Sequence, residues 1–171
     1  MKTVALNSSP DYYKNYINLV ADKPLLEVLK TGGIGLFEDH FLELMSLGKK
    51  VYEPGKWTAL EMIQHLIDTE RIFINRALRF ARQDSTVLPG YDHNAYVPVS
   101  RSNDRTLQDL LDEYKAVRLS SYHFFKHLNE EELMRSGKAN GIEISVIAMG
   151  FVLVGHPTHH FNILKERYFG L

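Results

Sequence analysis

The chain has 171 residues, 20 basic and 21 acidic, for a net charge of −1 with histidine neutral, and it contains no cysteine. A chain of that length suits a single domain over residues 1–171 and buries about 68–70% of its unfolded surface without staples. The balanced, unblocked charge argues against nucleic acid or an anionic membrane as partner, and the missing cysteines exclude disulfides, zinc thiolates and a thiol nucleophile.

Ser8-Ser9-Pro10-Asp11 has the form of a helix start, and Tyr12, Tyr13, Tyr16, Ile17 and Val20 follow at helical spacing, predicting a short helix within residues 8–22. Apolar residues resume after Pro24, Gly32, Gly33 and Gly35 interrupt them, and Phe37, Phe41, Leu44, Met45 and Leu47 predict one helix over about 34–48. Thr58-Ala59-Leu60-Glu61 has the capping-box form and opens a long helix to about Arg82, with Leu60, Ile63, Ile67, Ile74, Leu78 and Ala81 on one stripe. Residues 83–103 show no period and read as a long loop, whose length suits a crossover between parallel helices. Asp104-Arg105-Thr106 then caps a helix to about Leu128, Glu130–Met134 adds one turn, and Ser136–Gly141 breaks the chain. The final helix, about 143–168, is apolar on most sides in its first half and is expected to be the most buried element. No segment alternates as a strand should. The expected fold is an all-α bundle of four principal helices with a short N-terminal one. The apolar run Ile142–Val154 falls short of the roughly 20 residues needed to span a bilayer, and Met1–Asn7 is too short for a secretory signal, so a soluble, cytoplasmic protein is expected.

Two histidine pairs have the i, i+4 spacing that brings two imidazoles to one side of a helix: His123/His127 and His156/His160. Their surroundings differ. His123 and His127 lie opposite the apolar stripe of their helix and read as solvated, whereas His156 and His160 share a face with Met149, Val152, Leu153, Ile163 and Leu164. Core-facing imidazoles need partners, and either a metal or ordinary hydrogen bonds would supply them. Between them stands Pro157, which either kinks the helix or starts a new one with His156 near its cap. His65 falls away from the main stripe of its helix, on a face with Glu61, Asp68, Thr69, Ile72, Arg76 and Arg79. That face is either solvated or the wall of a polar cleft. In a cleft, Arg76 and Arg79 would hold an anionic substrate, and Asp68 or Glu61 would orient an imidazole.

Several linked motifs carry a family resemblance. They are Tyr52-x-Pro54-Gly55-Lys56-Trp57-Thr58, His65-Leu66-x-Asp68-x-Glu70-Arg71, Arg79-Phe80-x-Arg82-x-Asp84 with Leu88-Pro89-Gly90, and Gly155-His156-x-x-His159-His160 with Glu166-Arg167-Tyr168. In this order, over almost the whole chain, they resemble the DinB/YfiT-like superfamily. The resemblance implies a four-helix bundle of up-down-down-up course, with residues 83–103 as the crossover. It also implies a metalloenzyme site in which His65, His156 and His160 hold a divalent metal and His159 does not. Pro157 departs from the family pattern.

Three neutral imidazoles leave a coordination position open, as catalytic rather than structural sites do. Members of the family with known activity resemble transferases or isomerases that use low-molecular-weight thiols, and a thiol S-transferase is the first expectation here. Since the chain has no cysteine, the thiol would come from outside as a co-substrate. Metal-dependent hydrolysis is the alternative, and a non-catalytic metal-binding or stress-response protein is the third. Zinc or nickel is the expected metal. A small-molecule substrate is expected, and the family resemblance adds a homodimer.

Overall fold

A computed structural model describes residues 1–171. Its main elements are helices α1 (Lys2–Asn7), α2 (Asp11–Asn18), α3 (Leu25–Thr31), α4 (Ile34–Asp39), α5 (Phe41–Leu47), α6 (Ala59–Ala81), α7 (His93–Val99), α8 (Leu107–Lys126), α9 (Glu130–Met134) and α10 (Val146–Arg167). A hairpin of β1 (Ser136–Ala139) and β2 (Ile142–Ser145) precedes α10. The fold is an all-α four-helix bundle made of the segmented run α3–α5, then α6, α8 and α10.

The side-chain ties give the course of the chain. Gln64 meets Arg105, and Glu70 meets Arg118, so α6 and α8 run parallel. Glu38 pairs with Lys115 while the Gly32 carbonyl takes Arg118, so α3–α5 run against α8. His65 meets His156 and the Trp57 carbonyl takes the Tyr168 hydroxyl, so α10 runs against α6. The course is therefore up-down-down-up, and the segment after α6 is the crossover that makes it so.

Local chemistry fixes the helix ends. Glu61 N donates to Thr58 Oγ1 at 3.2 Å and Thr58 N donates to Glu61 Oε2 at 2.7 Å, closing the capping box of α6. Thr106 and Ser145 cap α8 and α10 through their hydroxyls.

Four sequence expectations change. The helix over about 34–48 is broken at His40, whose backbone (φ −114°, ψ 30°) leaves the helical region while its Nδ1 lies 3.0 Å from the Leu36 carbonyl. The short helix expected within 8–22 is present as Asp11–Asn18, but it is not the one N-terminal helix expected, since α1 (Lys2–Asn7) precedes it. The loop over 83–103 contains α7, started by Asp92, whose carboxylate accepts from Asn94 N and Ala95 N; with Pro98 inside it, α7 has no apolar period to reveal it. Residues before α10 form the hairpin rather than a helical turn, because Asn140 and Gly141 both take positive φ (52° and 74°), the geometry of a two-residue turn whose twist matches paired strands. Leu88 of the crossover bonds to the outer side of β1, with its N–H on the Lys138 carbonyl at 2.9 Å and its carbonyl accepting from Asn140 N at 3.0 Å.

Apolar packing splits into two clusters. One takes Phe73, Ala77, Phe80 and Ala81 of α6 with residues 146–154 of α10; the other takes Ala59, Met62, Ile63, Leu66 and Ile67 with Phe161, Leu164 and Tyr168. Between them lies a polar layer containing Thr69, Glu70, Arg118 and the histidines. The polar face of α6 that carries His65 is therefore interior along one edge: His65, Thr69 and Arg76 are buried, while Glu61, Asp68, Ile72 and Arg79 are half-buried.

Pro157 lies inside α10, which continues through it to Arg167. A proline has no N–H for the carbonyl four residues back, here that of Leu153. Arg118 Nη2 donates to that carbonyl at 2.6 Å, and the same guanidinium donates to both carboxylate oxygens of Glu70 at 2.8 Å each. Gly33 makes room for the ring: a Cβ there would stand 2.5 Å from Pro157 Cγ. No helix is long and apolar enough to cross a membrane.

Candidate metal centre

Helix α10 presents His156 and His160 one turn apart, and α6 presents His65 from across the bundle. Their rings converge. His156 Nε2 lies 3.3 Å from His65 Nε2 and 2.9 Å from His160 Nε2, and one ring nitrogen from each of the three falls within 4.8 Å of the others. His65 is buried; His156 and His160 keep part of their surface towards a cavity of about 410 Å³.

Hydrogen bonding among the three rings explains this arrangement poorly. A neutral imidazole has one N–H and one lone pair, so His156 Nε2 offers a single donor or a single acceptor to two close neighbours. A divalent ion fits the donor set better, with three lone pairs turned to one point. A tetrahedron with metal–nitrogen bonds of about 2.0–2.1 Å has edges of roughly 3.3–3.4 Å, and the His65–His156 separation of 3.3 Å is of that length. The His156–His160 pair is tighter.

Burial pushes the His65 pKa down to about 4, with the nearby His93 adding to the effect. His156 and His160 are held well below the usual histidine range, first by burial and then by one another's neighbours in the cluster. All three rings are then neutral at pH 7, which is the form that ligates a metal. Thr69 Oγ1 stands 3.5 Å from His65 Nδ1 and 2.6 Å from the Tyr91 hydroxyl, a chain that fixes the ring from behind. His160 Nδ1 is buried with no partner, so that ring is the least secured. Aromatic rings wall the site. Trp57 lies 4.9 Å from His65, Tyr16 lies 5.3 Å from His156 and from His159, and His93 lies 5.4 Å from His65.

The other residues singled out in the sequence lie as follows. The Glu61 carboxylate is engaged by Thr58 N and Asn103 Nδ2, and Asp68 by Gln64 Nε2, so neither touches a histidine. Thr69 stands behind His65 instead. Arg79 donates to Asp84 at 2.6 Å and does not line the cavity, whereas Arg76 does. His123 and His127 are exposed. Tyr91 and His93 come from the crossover, where no periodicity placed them, and their short spacing after Leu88-Pro89-Gly90 was the available signal.

The model of the DinB superfamily matches residues 38–164, a span that contains all three histidines. Among solved structures, YfiT from Bacillus subtilis aligns with a TM-score of 0.71 at 18% identity, covering 83% of this chain and 82% of that one. It is described as "a probable metal-dependent hydrolase with an unusual four-helix bundle topology". At that identity the likeness establishes the fold. No curated protein matches the chain.

Proposed function

The chain belongs to the DinB superfamily, and from that premise we propose that it is a divalent-metal-dependent hydrolase of a small-molecule ester or amide, centred on His65, His156 and His160. The observation that supports this reading is the convergence of three neutral imidazoles, all lining one cavity, on a single point. When bound, zinc or nickel supplies Lewis acidity and lowers the pKa of a water at its open position towards ~7. The protein's own groups do the rest. Thr69 orients His65, Trp57 and Tyr16 restrict water around the rings, and His93, exposed at the rim and 5.4 Å from His65, is placed to carry a proton between the cavity and solvent.

Thiol S-transfer is the second reading. It is favoured by a cavity of about 410 Å³, with room for a thiol beside an electrophile, in a chain that has no cysteine of its own. Elemental mass spectrometry of the reconstituted protein is expected to give close to one equivalent of metal, and His65→Ala and His156→Ala well under half. Full occupancy in both variants defeats the three-histidine centre. Metal-dependent turnover of activated esters without thiol supports hydrolysis; turnover that appears only with added thiol supports transfer.

A further inference from the structure

Helix α6 carries a charge into the cavity that the metal centre does not use. Arg76 follows His65 by eleven residues, which at about 100° per residue returns it to within about 20° of the same face, roughly 16 Å further along the axis. His65, Thr69, Phe73 and Arg76 all line the cavity, as one row along its wall. Arg76 is only 6% exposed, yet no carboxylate pairs with it. Its Nη2 donates to the Pro89 carbonyl at 2.9 Å, and its guanidinium carbon sits 5.6 Å from the centre of the Phe73 ring and 5.8 Å from that of Tyr91. Arg118, the other arginine buried to this degree, has Glu70 on it. A guanidinium stays charged at any accessible pH, and the lining of the cavity contains no aspartate or glutamate to balance it.

We propose that Arg76 is the anion-binding end of the substrate site, and that the substrate is an elongated carboxylate whose reacting bond lies at the histidines. The carboxylate takes the N–H groups of Arg76 that the Pro89 carbonyl leaves available. An apolar or aromatic middle lies along Phe73 and Tyr91, and the separation between the two ends is on the order of 10 Å, the helix rise less the side-chain reach. A single cation matches a monoanion better than a doubly charged phosphate, and the planar fork suits a carboxylate. Only the identity of the reacting end rests on the hydrolase reading; the anion site stands on Arg76 itself.

The test is direct binding, measured by calorimetry, of biphenyl-4-carboxylate and of its neutral counterpart biphenyl-4-carboxamide, with the metal-loaded and the chelator-treated protein. Wild type is expected to bind the carboxylate at least ten-fold more tightly than the amide, in both metal states. Arg76→Met is expected to bring the ratio close to one, and Arg76→Lys, which keeps the charge without the fork, to leave a reduced preference. If Arg76→Met does not fold, Arg76→Lys decides alone. Equal binding of the two probes by wild type overturns the proposal, and so does a preference that Arg76→Lys leaves unchanged. A preference lost on chelation but kept in the Arg76 variants places the carboxylate at the metal and equally overturns it. A protein that takes up no metal yet keeps the Arg76-dependent preference refutes the hydrolase reading alone.

Discussion

Arg118 donates to the Leu153 carbonyl at 2.6 Å, the one carbonyl of α10 from which Pro157 withholds a helical partner. The same side chain neutralises the buried Glu70 and donates to the Gly32 carbonyl at 2.9 Å, so one guanidinium joins α8 to α6, to α10 and to the residue that ends α3. A proline that would ordinarily disturb a helix thus stands inside an unbroken one, which presents His156 and His160 on consecutive turns.

Removing Arg118 leaves a buried carboxylate and an unpaired carbonyl together. Arg118→Met is expected to lose about 3–5 kcal/mol in urea unfolding. Pro157→Ala alone is expected to change stability by no more than about 1 kcal/mol, because the carbonyl it would serve already has a donor. In the Arg118→Met background, Pro157→Ala supplies the missing N–H, so the double variant is expected to recover about 1 kcal/mol relative to additivity. Additive losses to within about 0.3 kcal/mol would show that the two residues do not share the carbonyl.

The Thr69 hydroxyl stands between His65 Nδ1 and the Tyr91 hydroxyl, 3.5 Å from the first and 2.6 Å from the second. Groups behind a ligating imidazole typically change metal affinity by about 10–100-fold when removed. Thr69→Val, equal in shape, is expected to weaken zinc binding by about ten-fold in competition with a chromophoric chelator while leaving the melting temperature almost unchanged. Tyr91→Phe is expected to have a smaller effect in the same direction. An affinity unaltered by Thr69→Val removes the hydroxyl from the site.

What the sequence made legible was whatever one helix could state by itself. The capping box at Thr58 and Glu61, the apolar first half of α10, and the exposure of His123 and His127 followed from periodicity and local hydrogen-bonding chemistry. The placement of His65 did not, because α6 is buried on more than one face, and a residue off its main stripe can still point inward. Arg118 shows the same limit: its partners Glu70, Leu153 and Gly32 lie on three other segments. The hairpin carried a local signal in Asn140-Gly141, but strands of four residues are too short for alternation to show.

Acid is expected to destabilise the metal-free protein before its carboxylates titrate. The His65 pKa is depressed to about 4 by burial, against about 6.5 in the unfolded chain. Between those values the unfolded state binds a proton that the folded state refuses, so stability falls as pH drops below 6.5 and the loss levels off near 4. From pH 7 to pH 5 this one site accounts for about 2 kcal/mol. Urea midpoints with chelator present should therefore decline over that range, and His65→Gln should decline less than wild type. Parallel declines would mean that His65 is not depressed.

Gly155 sets how closely α2 can approach α10, and with it the position of Tyr16 over the site. A Cβ on Gly155 would run into the backbone carbonyl of Tyr16, which cannot swing aside as a side-chain tip would. The Tyr16 ring lies 5.3 Å from both His156 and His159, so forcing the backbones apart also uncovers the cluster. Gly155→Ala is expected to cost about 1–3 kcal/mol by overpacking, even though alanine is intrinsically the better helix former by about 1 kcal/mol. Its second effect follows from geometry: as Tyr16 retreats, water reaches His156, and hydrogen exchange should rise in α2 more than in α8. Metal binding should weaken at the same time. A Gly155→Ala protein as stable as wild type, with unchanged exchange in α2, would show that the approach of α2 has slack to spare.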